Sequence, residues 1–269
     1  MVTAIVCIAG IGLVAAVILA ISDRYLSVRE DPRIGMVLSA LPGANCGGCG
    51  FAGCDAYARA LVEGTAPNGA CPAGGDAVAA EIAKILGVEA SATEKRVAII
   101  KCLGTRSEAI RVGDYNGICD CSVAAATAGG DKGCVYGCLG YGACANVCPK
   151  HAISVVDGLA KVDKRLCIGC GKCVAVCPRK LIELVPASAM IHVLCNNPDK
   201  GPAVRKVCGV GCMGCHLCEK NSGGKEAGHF TFDGFLAKVN YANPPADPQI
   251  VAKCPAKCMI EDPHFESAH

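Results

Sequence analysis

The sequence predicts an α+β protein in which small modules hold metal centres behind an apolar N-terminal helix. Three observations lead to this fold class: an uncharged stretch at residues 2–21, 23 cysteines in 269 residues, and a repeat of short strand-forming segments. So high a cysteine content is typical of a disulfide scaffold or of a metal-loaded protein. Disulfide scaffolds are usually short, and an odd cysteine count does not close a disulfide set, so metal is favoured.

The charge of the chain is nearly balanced, with 26 basic and 24 acidic residues and a net charge of +2. This balance gives no indication of a nucleic-acid partner. With six tyrosines, five phenylalanines and no tryptophan, the chain also lacks the material for a large aromatic core. Small residues packed around inorganic clusters could take its place.

The N-terminal segment, residues 2–21, carries no charged residue. Twenty apolar residues in a helix span about 30 Å, the hydrocarbon thickness of a bilayer. A cleaved signal peptide is the alternative, but no basic residue precedes the run and the run is longer than a typical signal core. Residues 1–22 are therefore predicted to be a single-pass anchor in the cell membrane. Because oxygen-sensitive thiolate sites belong in a reducing compartment, residues 22–269 are predicted to be cytoplasmic.

The first cysteine group has the spacing Cys46-x2-Cys49-x4-Cys54, followed by Cys71-Pro72. Five glycines crowd these cysteines, and glycine lets a backbone fold tightly enough for thiolates to converge. Four cysteines in this order could hold a 4Fe–4S cluster or a structural zinc ion, and iron–sulfur is favoured. Helical composition at residues 56–63 and 77–86 makes residues 23–90 a small helical domain.

A second group, Cys167-x2-Cys170-x2-Cys173-x3-Cys177-Pro178, matches the bacterial ferredoxin run, in which the fourth cysteine ligates the other cluster. Its partner run is irregular, because Tyr141 occupies a position where the spacing expects cysteine, and Cys134 is the expected substitute. The pairing predicts two clusters in a ferredoxin-like domain at residues 134–187, after a connecting segment at residues 91–133. The predicted ligand sets are Cys134, Cys138, Cys144 and Cys177 for one cluster, and Cys148, Cys167, Cys170 and Cys173 for the other. A hairpin is predicted over residues 152–163, with Asp157-Gly158 as its turn.

Residues 188–269 repeat this pattern with an offset near 74 and form a degenerate copy. In the copy, Cys215 stands at the position of Tyr141, Ser222 at that of Cys148, and nothing replaces the Cys167 run. All ligands of one cluster are thus absent together while a full set for the other remains. The predicted set is Cys212, Cys215, Cys218 and Cys254.

Four such sites use 16 of the 23 cysteines. The seven that remain are Cys7, Cys102, Cys119, Cys121, Cys195, Cys208 and Cys258. Cys102, Cys121, Cys195 and Cys208 could form an additional metal site, so that about four or five 4Fe–4S clusters are expected. The alternative is that these residues are buried free thiols.

The segments LPGANCGGCGFAGC, CPAGG, GCVYGCLGYGACANVCP and CIGCGKCVAVCP resemble the B subunit of the Rnf membrane complex. The resemblance covers essentially the whole chain. It implies a subunit of an ion-pumping ferredoxin:NAD⁺ oxidoreductase that takes electrons from reduced ferredoxin and passes them to membrane subunits. In that family an associated flavoprotein subunit handles NAD.

No further catalytic equipment is predicted. The chain has no GxGxxG motif between a strand and a helix and no P-loop, so neither an NAD nor a flavin site is expected in it, and no turnover without partner subunits. Basic residues in the ferredoxin-like domain and in the segment before it form either a solvated face or a docking surface for acidic ferredoxin. They are Lys101, Lys132, Lys150, Lys161, Lys164, Arg165, Lys172, Arg179 and Lys180. Two other functions are open: an electron-feeding subunit of another membrane oxidoreductase such as a hydrogenase, and a zinc-binding structural adaptor. The paired Cys-Pro endings argue against zinc.

Overall fold

A computed structural model describes residues 2–26, 31–89, 94–127 and 129–262, in a mixed arrangement of short helices and strands. The helices are α1 (Val2–Leu26), α2 (Pro32–Ala40), α3 (Cys54–Val62), α4 (Gly75–Leu86), α5 (Cys121–Ala126), α6 (Ala143–Asn146), α7 (Lys172–Val176), α8 (Gly201–Val207), α9 (Leu217–Asn221) and α10 (Gln249–Ala252). The strands are β1 (Arg96–Ile100), β2 (Ile153–Val156), β3 (Leu159–Val162), β4 (Ile182–Pro186), β5 (Ile191–Val193), β6 (Phe230–Asp233), β7 (Leu236–Val239) and β8 (Met259–Glu261).

The prediction of a transmembrane helix at residues 1–22 is wrong. A helix, α1, lies at the predicted place, but none of the helices in the described ranges is both long and apolar enough to cross a membrane. A span needs about 20 consecutive apolar residues in one helix.

The helices α2, α3 and α4 pack together around a small apolar core that includes Val37, Tyr57 and Ile82. Asp31 caps α2 by accepting a hydrogen bond of 2.9 Å from the backbone N–H of Arg33, as expected for a helix that begins with proline. The Tyr57 hydroxyl donates to the Pro67 carbonyl oxygen at 2.9 Å and ties α3 to the loop that precedes Cys71. Both helices predicted in this region are confirmed.

The first ferredoxin-like module, which comprises strands β1 to β4, contains two antiparallel strand pairs. The predicted hairpin is confirmed: β2 pairs with β3, and Asp157 and Gly158 have φ values of 51° and 68°, the left-handed conformation that a tight two-residue hairpin turn requires. β1 pairs with β4 in the register Arg96↔Pro186. The segment predicted as a connection therefore contributes a strand to this module.

The second module, which comprises strands β5 to β8, has the same arrangement of strand pairs. β6 pairs with β7 as β2 pairs with β3, and β5 pairs with β8 as β1 pairs with β4. In each copy one strand precedes the cysteine run and its partner follows the last Cys-Pro pair. The internal repeat inferred from sequence is thus confirmed in the strand topology.

A buried polar network joins the two modules. The ammonium of Lys164, from the first module, donates to Nε2 of His192 at 2.9 Å and pairs with the carboxylate of Asp262 at 2.7 Å, both in the second. An ammonium can only donate, so Nε2 accepts and the Nδ1–H of His192 donates to the Tyr241 hydroxyl at 3.0 Å. Burial, and then the charge of Lys164, lower the pKa of the His192 imidazole to about 4. His192 is therefore neutral in the folded protein.

This network predicts a loss of stability on acidification. The folded pKa of His192, about 4, lies below its ordinary value of 6.5, so the contribution is complete above pH 6.5 and is lost as the pH falls toward 4. The apparent free energy of unfolding should fall by about 2 kcal/mol more between pH 7.5 and pH 5 in the wild-type chain than in a His192→Gln variant. Denaturant titrations at both pH values measure this difference. A His229→Gln variant, altered at a half-buried histidine outside this network, should behave as wild type. Equal pH dependence in all three proteins would contradict the assignment.

Candidate metal centres

Three cysteine loops share one backbone conformation. They begin at Cys138, Cys167 and Cys212, and in each the second and fourth residues after the cysteine have positive φ. The residues concerned are Gly140 and Gly142, Gly169 and Gly171, and Gly214 and His216. Left-handed residues two apart curl the loop back on itself, which brings cysteines of one run to the same side. Tyr141, Cys170 and Cys215 occupy the same position in the three loops.

The isolated cysteines Cys148, Cys177 and Cys254 also share a turn, each being followed by proline. The third residue after each, His151, Lys180 and Lys257 respectively, has a φ of 49° and donates its N–H to the cysteine carbonyl at 3.1–3.2 Å. Positive φ is uncommon outside glycine, and no feature of the residue types at these positions indicates it. A regular loop and a Cys-Pro turn are thus the two building units of the sites.

The first module contains a cavity of about 350 Å³ lined by all four cysteines of one predicted set, Cys148, Cys167, Cys170 and Cys173. The N–H of Ala98 donates to the Cys167 sulfur at 3.4 Å, and that of Ala152 donates to the Cys148 sulfur at 3.3 Å. Such donors stabilise negative charge on thiolate ligands.

The second cavity of this module, about 340 Å³, is lined by Cys121, Cys138, Cys144 and Cys177. Three of these belong to one predicted set, whereas Cys134, the fourth member of that set, lines a different cavity. Cys121 begins α5, and the Asp120 carboxylate caps this helix by accepting from the N–H groups of Ser122 and Val123. Burial, reinforced by the neighbouring thiols, raises the pKa of Cys144 to about 12.

The second module has one cavity of about 360 Å³ that brings together Cys212, Cys215, Cys218 and Cys254, the four cysteines predicted for it. A fifth cysteine, Cys258, lines the same cavity, with its sulfur 3.8 Å from that of Cys254. Hydrogen bonding from Cys258 lowers the pKa of Cys254 to about 5. His216 also lines this cavity; its ring stacks on Phe232 with the centroids 3.9 Å apart, and its Nδ1 lies 3.1 Å from the Glu219 carboxylate.

The cysteines of the first group, Cys46, Cys49, Cys54 and Cys71, lie half-buried around α3. Cys54 opens α3, and its backbone N–H donates to the Asn45 side-chain oxygen at 2.8 Å. Burial raises the pKa of the Cys71 thiol, and the nearby thiols of Cys46 and Cys49 add to the increase. The loop before α3 and the loop after it therefore face each other.

A further cavity of about 370 Å³ is lined by Cys102, Cys134, Cys195 and Cys208. The additional set predicted from sequence contains Cys121 where the structure has Cys134. Cys119 is exposed. The side chain of Cys7 lies outside the described residues.

The sequence leaves two metal chemistries open, zinc and iron–sulfur. Within the described ranges, no group of three or more Cys, His, Asp or Glu side chains lies close enough to hold a single metal ion. A zinc ion would require its sulfurs about 2.3 Å from the metal. The cysteines instead line clefts in groups of four or five, a ligand number that suits a 4Fe–4S cluster.

The basic residues of the first module divide into internal and exposed groups. Lys132 donates to the Gly104 carbonyl at 2.7 Å, Lys101 pairs with Glu183 at 3.2 Å, and Arg179 donates to backbone carbonyls including that of Cys134. With Lys164 in the buried network, these four are not a docking surface. Exposed positions are Lys150, Lys161, Arg165, Lys172 and Lys180.

Comparison with known proteins identifies iron–sulfur segments in this chain. A family model for an Fe-S cluster matches residues 41–73, and that of the LdpA Fe-S cluster-binding domain matches residues 138–189. The segments that contain these cysteines are thus similar to the cysteine segments of iron–sulfur proteins.

Relatives match over most of the chain. The B subunit of the ion-translocating oxidoreductase complex of Methanosarcina acetivorans is 44% identical over 260 residues, which cover 96% of this chain and 97% of the relative. The B subunit of the Na⁺-translocating ferredoxin:NAD⁺ oxidoreductase complex of Acetobacterium woodii is 43% identical over 94% of this chain and 76% of its own length. The proton-translocating counterpart of Clostridium ljungdahlii is 44% identical over 75% of this chain and 72% of its own length. The chain therefore belongs to the family of B subunits of ion-translocating ferredoxin:NAD⁺ oxidoreductase complexes, the Rnf family that its motifs resemble.

Proposed function

We propose that this chain is the iron–sulfur subunit that accepts electrons from reduced ferredoxin and relays them, through several 4Fe–4S clusters, to the other subunits of an ion-translocating ferredoxin:NAD⁺ oxidoreductase. The observation that carries the proposal is the division of the cysteines among separate cavities, each lined by four or five of them. Bound 4Fe–4S clusters exchange single electrons, over potentials from about −700 to +450 mV. Reactions at NAD belong to a partner subunit.

Four ligand sets belong to this proposal. They are Cys46, Cys49, Cys54 and Cys71 for site 1; Cys121, Cys138, Cys144 and Cys177 for site 2; Cys148, Cys167, Cys170 and Cys173 for site 3; and Cys212, Cys215, Cys218 and Cys254 for site 4. Sites 2 and 3 each combine a regular loop with a Cys-Pro turn from the other run, as in bacterial ferredoxins. Site 4 combines the loop and the turn of the second module.

Sites 1 and 3 lie against each other. A Cβ atom built on Gly48, in the loop between Cys46 and Cys49, would lie 3.0 Å from the Cys170 Cα and 2.8 Å from the Pro72 Cγ. Only glycine permits this approach, because any larger residue would push the two loops apart. Direct packing of a site 1 loop on a site 3 ligand supports electron exchange between the helical domain and the first module.

The environment of the sites supports a role on the reducing, cytoplasmic side of a membrane complex, because thiolate ligands resist oxidation there. Backbone N–H groups such as those of Ala98 and Ala152 hold the sulfurs and stabilise their charge. Apolar neighbours, including Ile153 and Leu184 at site 3, keep water from the cysteines.

Metal analysis tests the proposed function. The full chain, purified without oxygen, should contain iron and acid-labile sulfide in equal amounts, at least about 16 of each per chain, and little zinc. Dithionite should bleach the visible absorption, and reduced ferredoxin should do the same. Zinc with little sulfide would refute the electron-transfer role.

Exchange of Cys121 tests the composition of site 2. A Cys121→Ser variant should lose about four irons and four sulfides per chain, because serine is a poor ligand for this cluster type. Cys119→Ser, two residues away and at an exposed position, is the matched control and should keep the wild-type content. Full iron in Cys121→Ser would remove this residue from the ligand set.

Ferredoxin docking is expected over site 3, where the exposed residues Lys150 and Lys172 line the cavity rim. A Lys150→Glu/Lys172→Glu variant should be reduced by acidic ferredoxin several-fold more slowly at low salt, with a flatter dependence on ionic strength, because electrostatic attraction accelerates encounter. Stopped-flow reduction measures both. Lys225→Glu changes an exposed lysine of the second module and should have little effect. Equal rates for all variants would place docking elsewhere.

A further inference from the structure

We propose that Cys102, Cys134, Cys195 and Cys208 bind a fifth 4Fe–4S cluster at the junction of the two modules. This inference rests on the proposed function, since it assumes that the other cysteine cavities hold such clusters. The four residues line one cavity of about 370 Å³, comparable in size to those of sites 2, 3 and 4. A Cβ atom built on Gly104 would lie 3.5 Å from the Cys208 sulfur and 3.6 Å from the Cys102 sulfur. Both thiols therefore lie close to this glycine.

Three of the four sulfurs accept hydrogen bonds from the protein. The N–H of Cys138 donates to the Cys102 sulfur at 3.4 Å, and the N–H of Cys212 donates to the Cys195 sulfur at 3.3 Å. The Asn197 side-chain amide, with the residue only 3% exposed, donates to the Cys134 sulfur at 3.7 Å. A sulfur that accepts an N–H carries negative charge more readily, which is what a ligating thiolate requires.

Two cations lie beside the residues of this cavity. Lys132 is buried and lines it, with its ammonium directed at the neutral carbonyl of Gly104. The guanidinium of Arg179 donates to the Cys134 carbonyl. Burying cations is costly unless an anion compensates them. An anionic cluster with four thiolates would provide that compensation, whereas four neutral thiols would not.

The site also follows the internal repeat. Cys102 lies two residues after β1 and Cys195 two residues after β5; Cys134 and Cys208 each lie four residues before the first cysteine of a regular loop. The bonds from Cys138 to Cys102 and from Cys212 to Cys195 are equivalent in the two copies. Each module therefore contributes the same pair of cysteines, and neither module could complete the set alone.

The position of the cavity gives it a role in electron transfer. Cys138 is a ligand of site 2 and Cys212 a ligand of site 4, and the backbone of each is hydrogen-bonded to a sulfur of the new site. A cluster here would lie between sites 2 and 4 and connect the two modules. The resulting order of neighbouring sites is 1, 3, 2, the new site, and 4.

Two ligand variants of the full chain test the site. Cys195→Ser and Cys102→Ser should each reduce iron and labile sulfide from about 20 to about 16 per chain, and Cys119→Ser should keep about 20. Retention of the other 16 irons shows that the variants fold. Unchanged iron in both ligand variants, or one zinc ion lost with no iron, would overturn the proposal. Wild-type protein without iron and sulfide would instead refute the proposed function itself.

A second variant keeps the ligands and removes a donor. Asn197→Asp keeps the side-chain oxygen that accepts from the N–H of Asp199 at 2.8 Å, but replaces the amide that donates to Cys134. In a redox titration followed by electron paramagnetic resonance, one cluster potential should fall and the others should stay in place. Asn243→Asp, at an exposed asparagine, should leave all potentials unchanged. Identical titrations for Asn197→Asp and wild type would overturn the proposal.

Discussion

The structure depends on holding groups of cysteine thiols together inside the protein. Burial and mutual proximity both disfavour the thiolate: they raise the pKa of Cys144 to about 12 and those of Cys173 and Cys195 to about 11. Without a metal cluster these three cysteines would therefore be protonated thiols. Cluster binding must supply the free energy that deprotonates them, so loading and final packing are coupled. This coupling explains how a chain with few aromatic residues can maintain several small cores, since inorganic clusters would fill the space that side chains leave.

Much of this arrangement could be predicted because the loops are local. The spacing of the Cys167 run, its Cys-Pro ending and the hairpin with the Asp157-Gly158 turn are all encoded within a few residues, and the strands form where expected. The repeat lets the same reasoning extend to the second module. The prediction that Cys134 joins Cys138 rests on spacing along the chain, which is the only guide that the sequence offers there. The cavity that Cys138 lines is instead lined by Cys121, which comes from a separate helix that Asp120 caps. The Asp-Cys-Ser-Val sequence is the available signal for that helix start, but nothing in it indicates which cavity the helix faces. For the N-terminal segment the prediction relied on apolar composition, and composition alone does not establish a membrane-spanning helix.

Duplication accounts for the difference between the two modules. The first copy retains both loops and both Cys-Pro turns of a two-cluster ferredoxin, whereas the second retains one loop and one turn. Ser222 stands where Cys148 would be, and its hydroxyl donates to the Glu219 carbonyl at 3.0 Å, the interaction of an ordinary helix end. The second copy nevertheless keeps Cys195 and Cys208, which have no place in an isolated ferredoxin. Their retention is understandable if the junction between copies, rather than either copy alone, forms a site.

A site shared between modules requires that the modules keep a fixed relative position. The buried network of Lys164, His192, Tyr241 and Asp262 provides this, because Lys164 comes from the first copy and its partners His192 and Asp262 from the second. These three residues would each lose a buried partner if the modules separated. Breaking such a network leaves desolvated polar groups unpaired and is strongly unfavourable. Tyr241 packs against the apolar cores of both modules, so polar and apolar contacts oppose the same motion. Electron transfer between neighbouring clusters depends on distance, and a rigid junction would keep that distance constant.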